Sequence, residues 1–277
     1  MHQRPEGLGA DLERPSVARC YDYCLGGAHN FAVDRALVRK LLHAEPRARH
    51  LARHNRIFLH RAVHYCLRRG VRQFLDLGSG IPTLGNVHEV ALQAEPRARV
   101  VYVDNDPVAV AHGRTILEGD DRADAVHADL LDVQSVLHAE PVTRLLRVSE
   151  PLCLILASVL EFVPDELEPH KALRDYYDRI APGSLLCLSH LAADVAPESA
   201  ARITALRFDG LPGMVARGRA ELTGLLGGFE PVEPGLVPVP EWPPESTEDD
   251  PERPEESLMH GVVARKRSGR GNAGDPR

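Results

Sequence analysis

The segment 74–80 restricts the fold of this chain more than any other stretch of similar length. It reads Phe-Leu-Asp-Leu-Gly-Ser-Gly, an apolar run that ends in an acidic residue and two glycines. A short apolar run is typical of a buried parallel strand, and glycines directly after it let a ligand approach the backbone closely. The segment therefore predicts a strand of an α/β sheet with a nucleotide-type cofactor at its carboxyl end.

Strand-like runs and helical stretches alternate around this segment. Five apolar runs are predicted as strands, at 71–77, 99–104, 123–128, 152–158 and 184–190. Helical stretches at 107–117 and 165–180 lie between them, and a further helix is predicted at 217–226. A last apolar run at 260–265 follows a proline-rich connection, so we expect it to pair antiparallel at or near the sheet edge. The alternation predicts an α/β fold with a doubly wound, mostly parallel sheet.

Composition and periodicity divide the chain into four segments. We predict a flexible N-terminus at 1–15, a helical cap at 16–70, the α/β core at 71–266 and a flexible tail at 267–277. Apolar residues of the cap recur three and four apart, as at Phe58, Ala62 and Cys66, which places one stripe on a helix. The pair Gly26-Gly27 predicts a loop between two helices of the cap.

Charge and cysteine usage narrow the partners and the compartment. The formal charge is −7 over 277 residues, so we expect no basic surface for nucleic acid. The five cysteines form no C-x-x-C pair, which predicts reduced thiols in a cytoplasmic protein without a metal site. No apolar run approaches the roughly 20 residues of a membrane span, so we expect no membrane partner.

Two phosphate-binding motifs fit the glycine-rich turn poorly. A dinucleotide fingerprint requires Gly or Ala where this chain has Thr83, and Pro82 precedes that position. A P-loop requires Gly-Lys-Ser or Gly-Lys-Thr, and neither follows the turn. The turn therefore favours a nucleoside cofactor that has no pyrophosphate.

Acidic residues follow three successive predicted strands, at Asp76, Asp104 and Asp129. S-adenosylmethionine carries a sulfonium cation and an ammonium group, and an acidic strand end beside open glycine backbone suits both charges. Asp104 is predicted to accept the ribose hydroxyls, and Asp129 the exocyclic amine of adenine. An Asp after a strand is also a common helix cap, but three in register with the glycines favour the cofactor.

Several motifs together resemble those of class I S-adenosylmethionine-dependent methyltransferases, over about residues 14–266. The resemblance extends to a bacterial family described simply as S-adenosyl methyltransferases. It rests on Tyr21-Asp22-Tyr23-x-Leu25-Gly26-Gly27-x-x-Asn30-Phe31, Asn55-Arg56, Leu77-Gly78-Ser79-Gly80-Ile81-Pro82-Thr83, Asn86-Val87-His88-Glu89-Val90 and Tyr102-Val103-Asp104-Asn105-Asp106-Pro107. It implies a Rossmann-like sheet of seven strands and S-adenosyl-L-methionine as the cofactor. The implied cofactor contacts are Asp76, Gly78, Ser79, Gly80, Asp104, Asn105, Asp129, Leu130 and Ser158.

Residues on the acceptor side are predicted from their expected place above the strand ends. Glu161, just beyond the fourth strand, is a candidate base or ligand for a cationic substrate, where similar methyltransferases often have His. His88, on the helix after the glycine turn, is the second candidate catalytic residue. Residues around the Gly26-Gly27 hinge are predicted to bind substrate from a lid, namely Tyr21, Tyr23, His29 and Asn30. Tyr102 and Trp242 are predicted to line the pocket mouth.

Methyl transfer is an in-line displacement, for which the protein mainly aligns the acceptor and excludes water. The leading hypothesis is S-adenosylmethionine-dependent methyl transfer to a small-molecule acceptor. A non-catalytic cofactor-binding regulatory module on the same fold is the first alternative, because the sequence has no clear catalytic dyad. A nicotinamide-dependent oxidoreductase is the second, and Thr83 counts against it.

Overall fold

The computed structural model describes residues 14–82, 85–207, 211–242 and 257–267. The α-helices in these ranges are α1 (Val17–Cys24), α2 (Ala32–Ala44), α3 (Leu51–Arg68), α4 (Val87–Ala94), α5 (Pro107–Ile116), α6 (Val133–His138), α7 (Glu140–Leu145), α8 (Pro169–Arg179), α9 (Pro197–Ala205) and α10 (Arg219–Leu225). The strands are β1 (Gln73–Leu77), β2 (Arg99–Asp104), β3 (Ala123–His127), β4 (Cys153–Ala157), β5 (Leu185–Leu191), β6 (Glu230–Pro231), β7 (Val237–Pro238) and β8 (Met259–Arg265). Thr83 and most of the two predicted flexible termini lie outside the described residues.

The described strands join one sheet in the order β3-β2-β1-β4-β5-β8-β6, with β7 also paired to β8. Strands β1 to β5 run parallel, and Phe74 of β1 lies opposite both Val100 of β2 and Cys153 of β4. The strand order therefore reverses between β1 and β4. Open parallel sheets bind their ligands at such a point, beyond the carboxyl ends of the strands.

The predicted fold class is confirmed, because the sheet is mostly parallel and β8 pairs antiparallel with β5 along all seven residues of each strand. The sheet has eight strands rather than seven. The difference comes from β6 and β7, two strands of two residues each that both pair with β8. Strand β8 consequently has paired neighbours on both of its sides.

Side chains of the strands alternate between two apolar cores on opposite faces of the sheet. Leu75 and Leu77 of β1 enter one core together with α6, α7, α8 and α10, while Phe74 enters the other with α3 and α4. All three side chains are fully buried. This two-residue alternation fixes both faces of the strand, and with them the turn at its carboxyl end.

The first two helices and the third have different roles. Phe58, Ala62 and Cys66 of α3 belong to the core that also contains Phe74, so this helix packs on the sheet. Helices α1 and α2 form a hairpin whose connection contains the predicted glycine loop, with Gly26 at a φ of +82°. None of the described helices is long and apolar enough to cross a membrane.

Candidate functional site

A cavity of about 450 Å³ opens beyond the carboxyl ends of β1, β2, β3 and β4. Helix α1 and the N-terminal half of α3 contribute one wall, and the segment after β4 contributes another. The predicted cofactor-binding residues all line it, namely Asp76, Gly78, Ser79, Gly80, Asp104, Asn105, Asp129, Leu130 and Ser158. Their contact with a cofactor stays a prediction, but the fold does bring them to one place.

The glycine turn after β1 needs its glycines for two separate reasons. Gly78 has a φ of +73° and Gly80 a φ of +64°, a region in which other residues are strained. At Gly78 a Cβ atom would also lie only 2.1 Å from Cγ2 of Val159, in the loop after β4. The turn is held by the backbone amides of Gly78 and Ser79, which both donate to the carbonyl of Val103.

Asp104, at the end of β2, is joined to this turn by hydrogen bonds from backbone amides. Its two carboxylate oxygens accept from the amides of Gly80 at 2.7 Å and Asp106 at 2.9 Å. Burial raises the pKa of the carboxyl, and the two amide hydrogen bonds oppose that rise. Each oxygen keeps a second lone pair, so the carboxylate can still accept from ligand hydroxyls.

Asp76, near the end of β1, is buried, and its carboxylate accepts no hydrogen bond from another described residue. Burial raises its pKa to about 7, the guanidinium of Arg56 lowers it, and the charge of Asp104 raises it further. Arg56 donates to the carbonyl of Gly85 and to Oδ1 of Asn86, while its Nε is buried without a partner among the described residues. A carboxyl group and a guanidinium group, both with unused hydrogen-bonding atoms, thus line the same cavity.

The third strand end forms the far part of the cavity. Asp129 lies just after β3, and its Oδ1 accepts from the amide of Leu131 at 2.9 Å. The hydroxyl of Tyr176 donates to the carbonyl of Leu130 and ties this loop to α8. The loop therefore presents a carboxylate and an apolar side chain side by side, a combination that suits a nucleobase.

Ser158 and Glu161 form a hydrogen-bonded pair at the carboxyl end of β4. Ser158 has a φ of +59°, and its hydroxyl donates to Oε1 of Glu161 at 2.5 Å. Glu161 is only 1% exposed, and its Oε2 has no partner among the described residues. Burial raises the pKa of Glu161 to about 7, although the Ser158 hydroxyl and the charge of Arg217 lower it. Glu161 is absent from the described residues that line the cavity, so it lies directly behind Ser158.

Helix α1 is fixed across the glycine turn at its first residue. The hydroxyl of Ser16, the N-cap of α1, donates to Oδ2 of Asp106 at 2.6 Å, and Asp106 itself caps α5. The carboxylate of Asp34 accepts from the amide of Ser16 and from Nε of Arg19, and both charged side chains are buried. The start of the helical hairpin is therefore part of the cavity wall.

The loop between α1 and α2 is held together by hydrogen bonds among its own residues. Asp22 accepts from the amide of His29 at 2.8 Å and from Nδ2 of Asn30 at 3.0 Å. Asn30 also donates to the carbonyl of Gly27, whose missing Cβ would lie 2.1 Å from Oδ1 of Asp22. The predicted substrate-binding residues therefore separate: Tyr21 lines the cavity, while Tyr23, His29 and Asn30 are not among its described lining residues.

The structure places further predicted residues away from the described lining of the cavity, and the catalytic role of His88 stays a prediction. His88 is not among the described residues that line the cavity, and its amide and Nδ1 both contact the hydroxyl of Tyr102, at 2.8 and 2.7 Å. The prediction that Tyr102 and Trp242 line the pocket mouth is wrong. Tyr102 is 2% exposed, and Trp242 is 1% exposed between the rings of Phe58 and Tyr65. Aromatic side chains of that size were buried by the core rather than left at a rim.

Several cavity residues were not predicted as site residues. Asn55 and Arg56 stand in the first turns of α3, and Ser16 and Asp106 hold α1 against the sheet. Asn55 donates to the hydroxyl of Tyr21 and accepts from the hydroxyl of Ser189. The signal available in the sequence was the resemblance itself, whose motifs include Asn55-Arg56 and Asp106.

Comparison with known proteins identifies the family. A family model described as S-adenosyl methyltransferase matches residues 3–267. A crystal structure of a candidate methyltransferase from Thermobifida fusca YX is 35% identical and superposes with a TM-score of 0.86, covering 96% of this chain and 100% of the other. A DUF574 family protein from Streptomyces avermitilis MA-4680 is 36% identical with a TM-score of 0.84, covering 92% and 99%. No curated protein matches. This chain belongs to the S-adenosyl methyltransferase family, enzymes whose methyl donor is S-adenosyl-L-methionine.

Proposed function

We propose that this enzyme transfers the methyl group of S-adenosyl-L-methionine to a small-molecule acceptor bound in the cavity above β1 and β4. The observation that carries the proposal is the single cavity that joins three acidic strand ends to an apolar wall. Family membership supports this function over a nicotinamide-dependent oxidoreductase and over a non-catalytic binding module.

The residues of the cavity fit the cofactor by the chemistry of their free groups. The carboxylate of Asp76 has no hydrogen-bond partner among the described residues and would hold the ammonium group of the methionine end. The buried, unpartnered Nε of Arg56 would donate to its carboxylate. Asp104 would accept from the ribose hydroxyls, and Asp129 from the adenine amine. When bound, S-adenosyl-L-methionine supplies a methyl group that is activated by positively charged sulfur.

The remaining wall supports an apolar acceptor of modest size. Its described side chains are Val159, Phe162, Val163, Leu167, Leu211 and Pro212. Leu167 is 55% exposed, which is unusual for a leucine and places apolar surface at the opening. Small-molecule sites typically enclose about 300 to 1,000 Å³, and a volume of about 450 Å³ falls in that range. A net charge of −7 gives no support to a nucleic-acid substrate.

The chain's own residues perform two tasks in such a reaction. Helix α1, fixed at Ser16 and Asp106, covers the glycine turn and keeps water from the reacting groups. The hydrogen bonds from Gly78, Ser79 and Gly80 to β2 keep the turn in one conformation, so the acceptor meets a fixed geometry. His88 contacts Tyr102 and is given no part in the chemistry.

Calorimetric titration with S-adenosylhomocysteine tests the cofactor half of the proposal. Wild type should bind, Asp104→Ala should bind at least about tenfold more weakly, and Asp175→Ala, an exposed acid on α8, should bind like wild type. Mass spectrometry with the methyl donor and a panel of phenols, anilines and alkylamines tests the acceptor half. Absence of heat in the titration would overturn the cofactor site, and absence of any methylated product would overturn the acceptor class.

A further inference from the structure

Ser158 stands at the carboxyl end of β4 in a backbone conformation that costs energy. Its φ of +59° is one of two positive values among the described non-glycine residues. A serine in that region costs of order 1 to 2 kcal/mol, so something in the fold must hold it there. Ser158 lines the cavity, and its amide donates to the carbonyl of Ser189 on β5. The strained backbone therefore fixes a hydroxyl at the wall of the acceptor region.

The hydroxyl of Ser158 connects the cavity to a carboxyl group that the cavity does not otherwise reach. Its partner is Oε1 of Glu161 at 2.5 Å, a distance typical of a strong O–H···O⁻ hydrogen bond. The other oxygen of Glu161 is buried without a partner among the described residues. Buried carboxyl oxygens normally have a hydrogen-bond partner, because burial without one costs free energy. An unused oxygen at this position therefore calls for an explanation, and a catalytic role is one. Glu161 thus keeps the capacity to take up a proton.

The loop that carries Glu161 is held rigid by a buried arginine. Arg217 donates to the carbonyls of Leu160 and Val163, at 2.9 and 2.7 Å, on either side of the glutamate. It also donates to the carboxylate of Asp165 at 2.7 Å. The amide of Val215 donates to the carbonyl of Glu161 itself at 2.7 Å. These contacts position the carboxyl against Ser158 without using either carboxyl oxygen.

The charged and titratable groups around Glu161 come from three sides. The guanidinium of Arg217 lowers its pKa, burial raises it to about 7, and the phenol of Tyr21 lies close enough to be affected by its charge. His190, behind Arg217, has its pKa lowered to about 4 by burial and is neutral near pH 7. Asp165 balances the arginine charge from the outside. The pKa of Glu161 therefore lies near neutral pH, where His190 is uncharged.

We propose that Ser158 and Glu161 form a proton relay that deprotonates the methyl acceptor, a role that rests on the proposed function. As the acceptor heteroatom bonds to the methyl group, its proton passes to Oγ of Ser158, and the serine proton passes to Oε1 of Glu161. The bond from carbon to sulfur breaks, and its electron pair stays on sulfur, which becomes neutral. The protonated Glu161 then returns its proton to solvent through the serine.

The relay defines a class of acceptor. A hydroxyl or an amine on an apolar framework must lose a proton during methylation and benefits from a base. A carboxylate, or a thiol that is already ionised, has no proton to lose and gains nothing from Glu161. Ser158 is the group that contacts the acceptor, and Glu161 acts through it.

Infrared difference spectroscopy tests the relay without requiring an acceptor. In the complex with S-adenosylhomocysteine, the carbonyl band of protonated Glu161 should titrate near pH 7. Its assignment follows from its loss in Glu161→Gln, and Asp76→Asn separates the band of Asp76. In Ser158→Gly, which suits the positive φ, the Glu161 band should shift. The relay would be overturned if the Glu161 band does not titrate between pH 5 and 9. It would also be overturned if the band does not shift in Ser158→Gly.

A series of phenols of decreasing acidity tests the same relay in turnover. Glu161→Gln should lower kcat by about 10²-fold or more for the least acidic phenol, with KM nearly unchanged, and the loss should shrink for phenols ionised at the assay pH. Ser158→Gly should behave alike, and Glu166→Gln, an exposed neighbour, should match wild type. An equal loss across the series would assign Glu161 a merely structural role. Unchanged binding of S-adenosylhomocysteine in Glu161→Gln, whose side chain does not line the cavity, separates failure of the relay from failure of the cofactor site.

Discussion

The carboxylates of the cavity and those of the helical hairpin differ in what their oxygens contact. Asp34 and Asp22 in the hairpin accept hydrogen bonds from several groups of their own segment. The carboxylate of Asp76 in the cavity accepts none from a described residue, and that of Asp104 accepts from backbone amides of the cavity wall, among them those of Gly80 and Asp106. The hairpin carboxylates are thus occupied in holding the fold, whereas the cavity carboxylates keep lone pairs for a ligand. Burial alone does not distinguish the two groups, since Asp22, Asp34 and Asp76 are all buried.

The largest effect should come from removing a hairpin carboxylate. Asp34→Ala removes the buried carboxylate that pairs with the guanidinium of Arg19, which should cost about 3 to 5 kcal/mol of unfolding free energy. Asp34→Asn, which keeps the shape, should cost less. Urea unfolding measures both. A loss below about 1 kcal/mol for Asp34→Ala would mean that the hairpin carboxylates are not structural and that the comparison fails.

A second test compares the two glycines of the cavity turn. Gly78→Ala combines a left-handed backbone with a clash against Val159, so we expect a loss of about 3 kcal/mol and weak binding of S-adenosylhomocysteine. Gly80→Ala has the same backbone strain, but its Cβ would be 3.7 Å from the nearest atom, in Ala18, so about 1 to 2 kcal/mol is expected. Equal losses in thermal unfolding would contradict the role assigned to Val159.

A third test measures both ligand binding and fold stability for one variant of the cavity and one of the hairpin. Asp104→Ala should weaken binding of S-adenosylhomocysteine by about 10- to 100-fold, the worth of hydrogen bonds to a charged group. It should destabilise the fold less than Asp22→Ala does, because Asp22→Ala removes the carboxylate that accepts from the amide of His29 and from Nδ2 of Asn30. Calorimetry and urea unfolding on the same two variants give both numbers. If Asp22→Ala weakens binding more than it weakens the fold, the loop between α1 and α2 contacts the ligand after all.

The smallest expected effect concerns the pH dependence of the unfolding free energy, to which Asp76 and Glu45 contribute with opposite signs. The pKa of Asp76 is raised from 3.8 to about 7, so its contribution to stability is complete below about pH 4 and is lost as pH rises through 7. Binding of a cationic ammonium group should strengthen over the same rise, because the carboxylate ionises. Asp76→Asn should therefore flatten the decline in unfolding free energy between pH 5 and 8, by about 1 to 2 kcal/mol. Glu161 contributes with the same sign.

Glu45, after α2, should show the opposite slope. Burial raises its pKa, but hydrogen bonds from Ser199, Arg202 and Arg47 outweigh burial and hold the pKa at about 2 instead of 4.5. Its contribution is present above pH 4.5 and is lost as pH falls through 2. Glu45→Gln should cost under about 1 kcal/mol at pH 7, because Arg202 is half exposed, and less at pH 3. Parallel slopes for Glu45→Gln and Asp76→Asn in urea unfolding would show that the two groups of carboxylates do not differ.

The sequence was a good guide to the strands and to the acidic residues that follow them. The predicted run 99–104 coincides with β2, and the run 123–128 differs from β3 by one residue. The strands were predictable because each depends on a local pattern of apolar residues. The carboxyl ends of parallel strands lie at one edge of the sheet whatever the strand order. The placing of Asp76, Asp104 and Asp129 around one cavity follows from that rule.

The sequence was a poor guide to the hairpin and to the aromatic residues. The hydrogen bond from Ser16 to Asp106 joins residues 90 positions apart in the chain, and no local sequence pattern predicts such a contact. The motif around Gly26-Gly27 has polar and aromatic residues of the kind that bind ligands, yet Asp22 engages His29 and Asn30 within the loop itself. Trp242 was expected to line the pocket mouth, but its packing against Phe58 and Tyr65 of α3 buries it.

Strand β8 has a consequence for how the protein is made. It follows the other described strands in the chain, yet it pairs with β5 on one side and with β6 and β7 on the other. Until residues 259–265 have left the ribosome, the edge of β5 that pairs with β8 has seven residues without a strand partner. An exposed strand edge of this kind promotes aggregation. The long sequence separation of this pairing also makes it slow to form. A cell that synthesises this enzyme must protect that edge from the time β5 emerges until β8 arrives.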